Sequence, residues 1–176
     1  MQDLGYDHFQ TLTPDTPDVE QSGSTTPRSA TVVQSKTLRM IESPENTLFR
    51  FTETVSVNGT NLDATCGRMD VTAVPVQTVE AAESAEETSP LEVQMIEAFD
   101  DVVFKQEGRV TTADKATILP VEGKVVLEGD AVVTDEQGKV TGHRVTLLQG
   151  QRRAIVEGDR STGQRATMTL PEVKSK

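Results

Sequence analysis

The sequence predicts an all-β domain built from repeats, and three observations carry that expectation. Val and Thr are abundant while aromatic residues make up only 3% of the chain, so a core has to come from Val, Ala, Leu, Ile and Met. Branched side chains of this kind fit a pleated strand surface. Apolar and polar residues alternate in run after run, separated by Gly-containing turns at regular intervals. The third observation is a beat: VVLEGD at 125–130 returns as AIVEGD at 154–159.

Residues 1–36 read as a flexible tail. TLTPDTPDVEQSGSTTPRSA is rich in Pro, Thr, Ser, Asp and Gly and has no apolar period, so it buries too little to offset its ordering entropy. The domain is assigned to 37–172, with 173–176 as a short C-terminal tail. Its first part alternates cleanly: Phe49, Phe51, Val55 and Val57 share one parity, and Thr52, Thr54 and Ser56 hold the other. VNGTN then supplies a hairpin turn. Residues 76–92 form an acidic, Ala-rich insertion, read as a loop with some helical tendency because its apolar residues make no stripe. From Leu91 to Leu170 strand follows strand, with turns at QEG (106–108), VEGK (121–124), DEQGK (135–139), LQGQRR (148–153) and DRSTGQ (159–164).

The beat extends through the whole domain. An offset of 29 carries Ala98, Val102 and Phe104 onto Leu127, Ala131 and Val133, and Ala113, Ala116 and Ile118 onto Gly142, Val145 and Leu147. An offset of 47 carries Phe51, Val55 and Val57 onto Ala98, Val102 and Phe104, and Cys66, Met69 and Val71 onto Ala113, Ala116 and Ile118. The two offsets differ by about the length of the acidic insertion. Three full repeats and a truncated fourth follow, each repeat holding two strands. Gly129 and Gly158 sit mid-run, where a strand glycine marks a bend or bulge. One bend per lap folds a long sheet along a line, giving a trough or flattened roll whose laps bury one another's apolar face.

Charge and chemistry narrow the function. The net charge of −11 lies entirely in the first half: residues 1–97 hold sixteen acids and five bases, and 98–176 hold twelve of each. Such a chain is a poor nucleic-acid binder, since phosphate contacts need a cationic surface. No window approaches the ~18 apolar residues that span a bilayer, and MQDLGYDHFQ has no signal-peptide pattern. Cys66 is the single cysteine, so neither an internal disulfide nor a thiolate cage is expected. It falls at a small inward position and reads as an inert thiol. His8 and His143 have no ligand partners at metal spacing, no Gly-x-Ser-x-Gly elbow is present, and the recurring Glu-Gly-Asp reads as turn chemistry. Neither catalytic residues, metal nor cofactor are expected.

The run 96–159 carries a resemblance. Its parts are Val102-Val103-Phe104, then Ala113-Asp114-Lys115-Ala116, then Val126-Leu127-Glu128-Gly129-Asp130. They resemble the pattern of the OstA-like (LptA-like) family of periplasmic lipopolysaccharide-transport proteins, over about residues 38–170. Gly142-His143-Arg144-Val145 and Cys66-Gly67-Arg68-Met69 depart from the Ala-Asp-x-Ala element. The resemblance implies an antiparallel β-jellyroll, a sheet folded like a taco, that carries lipopolysaccharide acyl chains in its trough. It also implies a periplasmic location and partners in a transport bridge, including stacked copies joined by edge strands. The trough residues expected on this reading are Val55, Val57, Val102, Phe104, Leu127, Val133, Val145, Leu147 and Val156. A basic rim for lipid phosphates is expected from Lys105, Lys115, Lys124, Arg144, Arg152 and Arg153. The competing reading is a non-catalytic β-solenoid interaction scaffold whose inside is fully packed; a hydrolase is a distant third.

Overall fold

The computed structural model describes residues 31–59, 62–76, 90–148 and 153–172. Ten strands form one antiparallel sheet: β1 Val32–Gln34, β2 Thr37–Glu42, β3 Thr47–Gly59, β4 Leu62–Pro75, β5 Leu91–Gln106, β6 Arg109–Leu119, β7 Lys124–Asp135, β8 Gly138–Leu148, β9 Arg153–Glu157 and β10 Thr167–Thr169. The six central strands run in sequence order as a meander. Their length, up to 16 residues in β5, is explained by a bend in the middle of each.

The bend divides every strand between two arms. β2 pairs with the 47–52 half of β3, and β1 with its 56–58 half. β9 pairs with the 144–148 half of β8, and β10 with its 139–141 half. Thus β1 and β2 together act as one bent strand at the N-terminal edge, and β9 and β10 as another at the C-terminal edge. Each arm is eight strands wide, roughly 34 Å at the ~4.8 Å strand spacing. The first arm contains β2 and β9; the second contains β1 and β10.

The repeat appears as register laid on register. Val55 pairs with Cys66, Val102 with Ala113, and Ala131 with Gly142. Phe51, Ala98 and Leu127 likewise pair with Met69, Ala116 and Val145. The irregularity repeats too: register shifts fall between Thr52 and Val55, Phe99 and Val102, and Glu128 and Ala131. At those places φ is positive for Glu53 and Thr54, for Asp100 and Asp101, and for Gly129 and Asp130. Phe51 and Val55, four residues apart, keep the same inward face on either side of the turn.

Glycine therefore stands at the bend in the later laps, at Gly129 and Gly158, and not in the first two. What recurs is a close approach across it. A Cβ on Gly67 would lie 2.9 Å from the Asp100 Cβ, and a Cβ on Gly129 would lie 2.7 Å from that of Asp114. The two strands approach so closely that one side chain fits and two do not. In one lap the glycine is on the even strand, in the next on the odd one.

The turns fall where the sequence places them. Glu107 and Gly108 both have positive φ, the geometry of a two-residue hairpin loop. Gly123 donates to Pro120 O at 3.2 Å, and Gln137 N to Asp135 Oδ1 at 2.8 Å. The VNGTN and LQGQRR connections fall partly at 60–61 and 149–152, outside the described residues, as does 77–89 of the acidic insertion; Val76 N donates to Pro90 O at its base, 2.8 Å. One sheet member comes from the stretch read as tail: β1 joins β3 through Val32, Val33 and Gln34. Three residues bringing one inward apolar side chain, Val33, are too short to register as a period. At the other end the fourth repeat is longer than expected. β9 leaves the bend at Gly158, makes a turn closed by an Asp159–Gln164 bridge, and returns as β10.

Candidate functional site

The inner faces of both arms share one apolar cluster. It is deepest beside the bend. Leu127, Val55 and Val145 are fully buried and Val102 is 1% exposed. Each strand there sets one large and one small residue on either side of the bend: Leu127 and Ala131, Val145 and Gly142, Val102 and Ala98, with both alanines at most 1% exposed. Two residues further out, Val57, Phe104 and Val133 remain buried at 8%, while Ile96, Ile118, Val125 and Leu147 are only partly covered. Along the last four, all in the first arm, the face loosens away from the bend toward the strand ends, giving a groove with a sealed floor.

All nine expected trough residues fall in this cluster. Leu147 and Val156 pack at its partly exposed margin. Val71, Ile96, Ile118 and Val125 belong with them, although the sequence reading did not count them among the trough residues. The signal was available, since Ile96 and Val125 are 29 apart, as are Ile118 and Leu147.

The six expected rim cations do not form one ring. Lys115 and Arg144 precede the buried Ala116 and Val145, so strand alternation turns them to the outer face. There Lys115 Nζ sits 2.9 Å from Glu97 Oε1, and Arg144 Nη2 sits 3.1 Å from Glu128 Oε1. Lys124 and Arg153 do stand at the strand ends of the first arm, and Lys105 near the end of the second. Arg152 lies outside the described residues.

The outer face carries a polar network that the sequence reading missed. Arg50 donates from Nε to Asp70 Oδ1 and from Nη2 to Asp70 Oδ2, each at 3.0 Å. This fork holds the Arg50 guanidinium pKa above its ordinary value, chiefly through the hydrogen bonds and then through charge. Asp70 is buried at 7% exposure, with Arg68 Nε a further 3.9 Å away. The Arg68 guanidinium lies 4.0 Å from the centroid of Phe99, and Lys115 Nζ 5.1 Å from it. Cations over an aromatic face are favourable, and here they brace β4, β5 and β6 at the level of the bend.

Two titratable groups among the described residues are clearly shifted in opposite senses. Burial pushes the Cys66 thiol up to about 11, away from the thiolate that nucleophilic chemistry needs. Asp159 is held down at about 2, first by the Ser161 hydroxyl and backbone. It accepts from Ser161 N and Ser161 Oγ at 2.7 Å and from Thr162 Oγ1 at 3.0 Å, which is turn chemistry. Among the described residues no group of His, Cys, Asp and Glu could hold a metal ion.

Comparison with known proteins agrees with the geometry. The family model described as LptA/(LptD N-terminal domain) LPS transport protein matches residues 33–153. The crystal structure of LptH, the LptA homologous periplasmic component of the conserved lipopolysaccharide transport device from Pseudomonas aeruginosa, matches with a TM-score of 0.60. That match covers 81% of this chain and 96% of that one at 12% identity, so it speaks for the fold. No curated protein sequence matches.

Proposed function

Since the chain belongs to the LptA/LptD N-terminal domain family of LPS transport proteins, we propose that it is a periplasmic carrier that holds lipopolysaccharide acyl chains in the groove between its arms. The observation that carries this reading is the graded burial of the inner face: a sealed floor at Leu127 and Val55, and a looser margin at Ile96, Ile118, Val125 and Leu147. A fully packed scaffold has no need of such a margin. Acyl chains placed against it gain about 0.8 kcal/mol per buried CH₂. Lys124, Arg153 and Lys105 stand at the strand ends, where lipid phosphates of a chain-inserted molecule would lie. Transfer is passive, with no covalent step.

Among the described residues both sheet edges lack a further strand and would serve partners of the transport bridge. β1 and β2 expose Val32, Leu38, Met40 and Ile41, and β9 and β10 expose Ile155 and Met168. An edge strand with free backbone groups is a template for strand addition, so a neighbouring domain or a second copy can extend the groove.

Phe104→Asp tests the reading. It places a carboxylate on the inner face of the second arm, two residues from the bend-flanking Val102. A variant that keeps its far-ultraviolet circular dichroism should lose capture of purified lipopolysaccharide; a folded variant that captures it as the parent does would rule the groove out.

A further inference from the structure

The two arms share one apolar floor, but on the central strands they end in different chemistry. β5, β6 and β7 each cross the bend, so each lays its inward row over both arms. Toward the tips of the first arm that row stays apolar. On β5 it runs from Ala98 through Ile96 to Val93 and Leu91, on β6 from Ala116 to Ile118, and on β7 from Leu127 to Val125. Val93 and Leu91 keep the inward parity because a register shift beside Ala73 sets Val93 opposite that buried alanine. At the lip itself Leu91 is 47% exposed, and Val121 in the next turn 63%.

Toward the tips of the second arm the same three strands turn polar. Val102 and Phe104 are followed by Gln106, Ala113 and Thr111 by Arg109, and Ala131 and Val133 by Asp135. Strand alternation puts all three on the groove side. Register brings them together: Gln106 pairs with Arg109, and Arg109 Nη2 lies 3.6 Å from Asp135 Oδ2. Asp135 is held in turn by its hairpin, accepting at Oδ1 from Gln137 N, 2.8 Å. With Glu107, Glu136 and Gln137 these residues line an open cavity of about 250 Å³. Immediately behind it Thr111, Phe104 and Val133 are buried, so the open apolar surface that an acyl chain can cover lies on the first arm.

The lining decides what kind of group fits the second lip. A carboxamide both donates and accepts, a guanidinium only donates, and a carboxylate only accepts. Sugar hydroxyls, which donate and accept, match all three. A phosphate does not, because the cavity holds three carboxylates against one guanidinium and like charges set face to face repel.

We propose that the second-arm lip is a saccharide site: Gln106, Arg109 and Asp135 bind sugar hydroxyls of a lipid whose acyl chains lie against the first arm, so the molecule sits in the groove in one orientation. This rests on the reading of the groove as the lipid site and adds to it the direction in which the lipid faces.

Two probes separate head from chain: purified lipopolysaccharide, and sodium myristate, which has a chain and no sugar. Each is titrated into the full-length protein by calorimetry. Arg109→Ala and Gln106→Ala should each weaken lipopolysaccharide binding about fivefold, the usual worth of a hydrogen bond, and leave myristate binding unchanged. Glu122→Ala, in a first-arm turn, should change neither. Far-ultraviolet circular dichroism checks each variant; Arg109→Ala breaks an ion pair, so Gln106→Ala carries the test should it fail to fold. Lipopolysaccharide bound by both folded variants as tightly as by the parent overturns the saccharide lip and leaves the groove standing. Equal losses for the two probes also overturn it, since they report damage to the groove. Failure of the parent to bind either probe overturns the lipid reading itself. Lipopolysaccharide stripped of its phosphates should show the same loss; a loss that disappears with the phosphates overturns the assignment to sugar.

Discussion

The close approach at the bend makes a sharp double-mutant prediction. Asp114 occupies the space that a side chain on Gly129 would need, with 2.7 Å between the Cβ positions. One lap earlier the same space is filled from the other side, by Asp100 against Gly67. Gly129→Asp alone therefore meets two costs. The left-handed backbone, φ 76°, disfavours a side chain by about 1–2 kcal/mol, and the overlap with Asp114 adds about 1–3 kcal/mol. A loss of roughly 2–5 kcal/mol is expected. Asp114→Gly alone should cost about 0.5–1 kcal/mol, the usual loss for glycine in a strand. Combining them recreates the Gly67/Asp100 arrangement and removes the overlap, leaving a favourable coupling of about 1–3 kcal/mol. Urea unfolding of the four proteins, with equal slopes, measures this. Losses that simply add to within about 0.5 kcal/mol would refute the one-side-chain rule.

Three further outcomes follow from single residues. Leu127→Ala opens a cavity beside small neighbours that cannot refill it, so about 3–5 kcal/mol should be lost, seen as a thermal midpoint lower by roughly 10 °C; a loss under about 1 kcal/mol would mean that the floor is not packed. The Asp159 carboxyl should titrate near pH 2 by NMR and move up toward the ordinary aspartate value in Ser161→Ala. Because its folded value is depressed, its contribution to the turn is complete above about pH 4 and is lost as pH falls through 2; an unchanged midpoint in Ser161→Ala would discard the hydroxyl as cause. Cys66 should resist alkylation at pH 8 until the protein unfolds. Its raised value, about 11, gives stability that is full below the free-thiol value near 8.5 and declines as pH rises toward 11; fast labelling of the native protein would contradict that burial.

The repeat was legible because it is written in residue size and parity. Val55, Val102 and Ala131 keep their inward place at fixed offsets, and their partners Cys66, Ala113 and Gly142 stay small. The bend was legible only at Gly129 and Gly158. Glu53-Thr54 and Asp100-Asp101 do the same work with residues that usually signal solvent, so their sequence gives no warning. Charge alone could not place the rim. Lys115 and Arg144 look like free cations in one dimension, and only the neighbours Ala116 and Val145, both fully buried, turn them outward to Glu97 and Glu128. The Arg50–Asp70 fork joins residues twenty apart, a pairing that needs the β3–β4 register before it can be seen. β1 escaped notice because three residues carry no period.

The most direct test of the account is denaturing mass spectrometry of a lipid extract from protein purified out of the periplasm of a Gram-negative host. The groove reading predicts lipid A species in stoichiometric amount, lost in the Phe104→Asp variant. A well-folded protein that yields no lipid would contradict it and leave the packed scaffold as the better description.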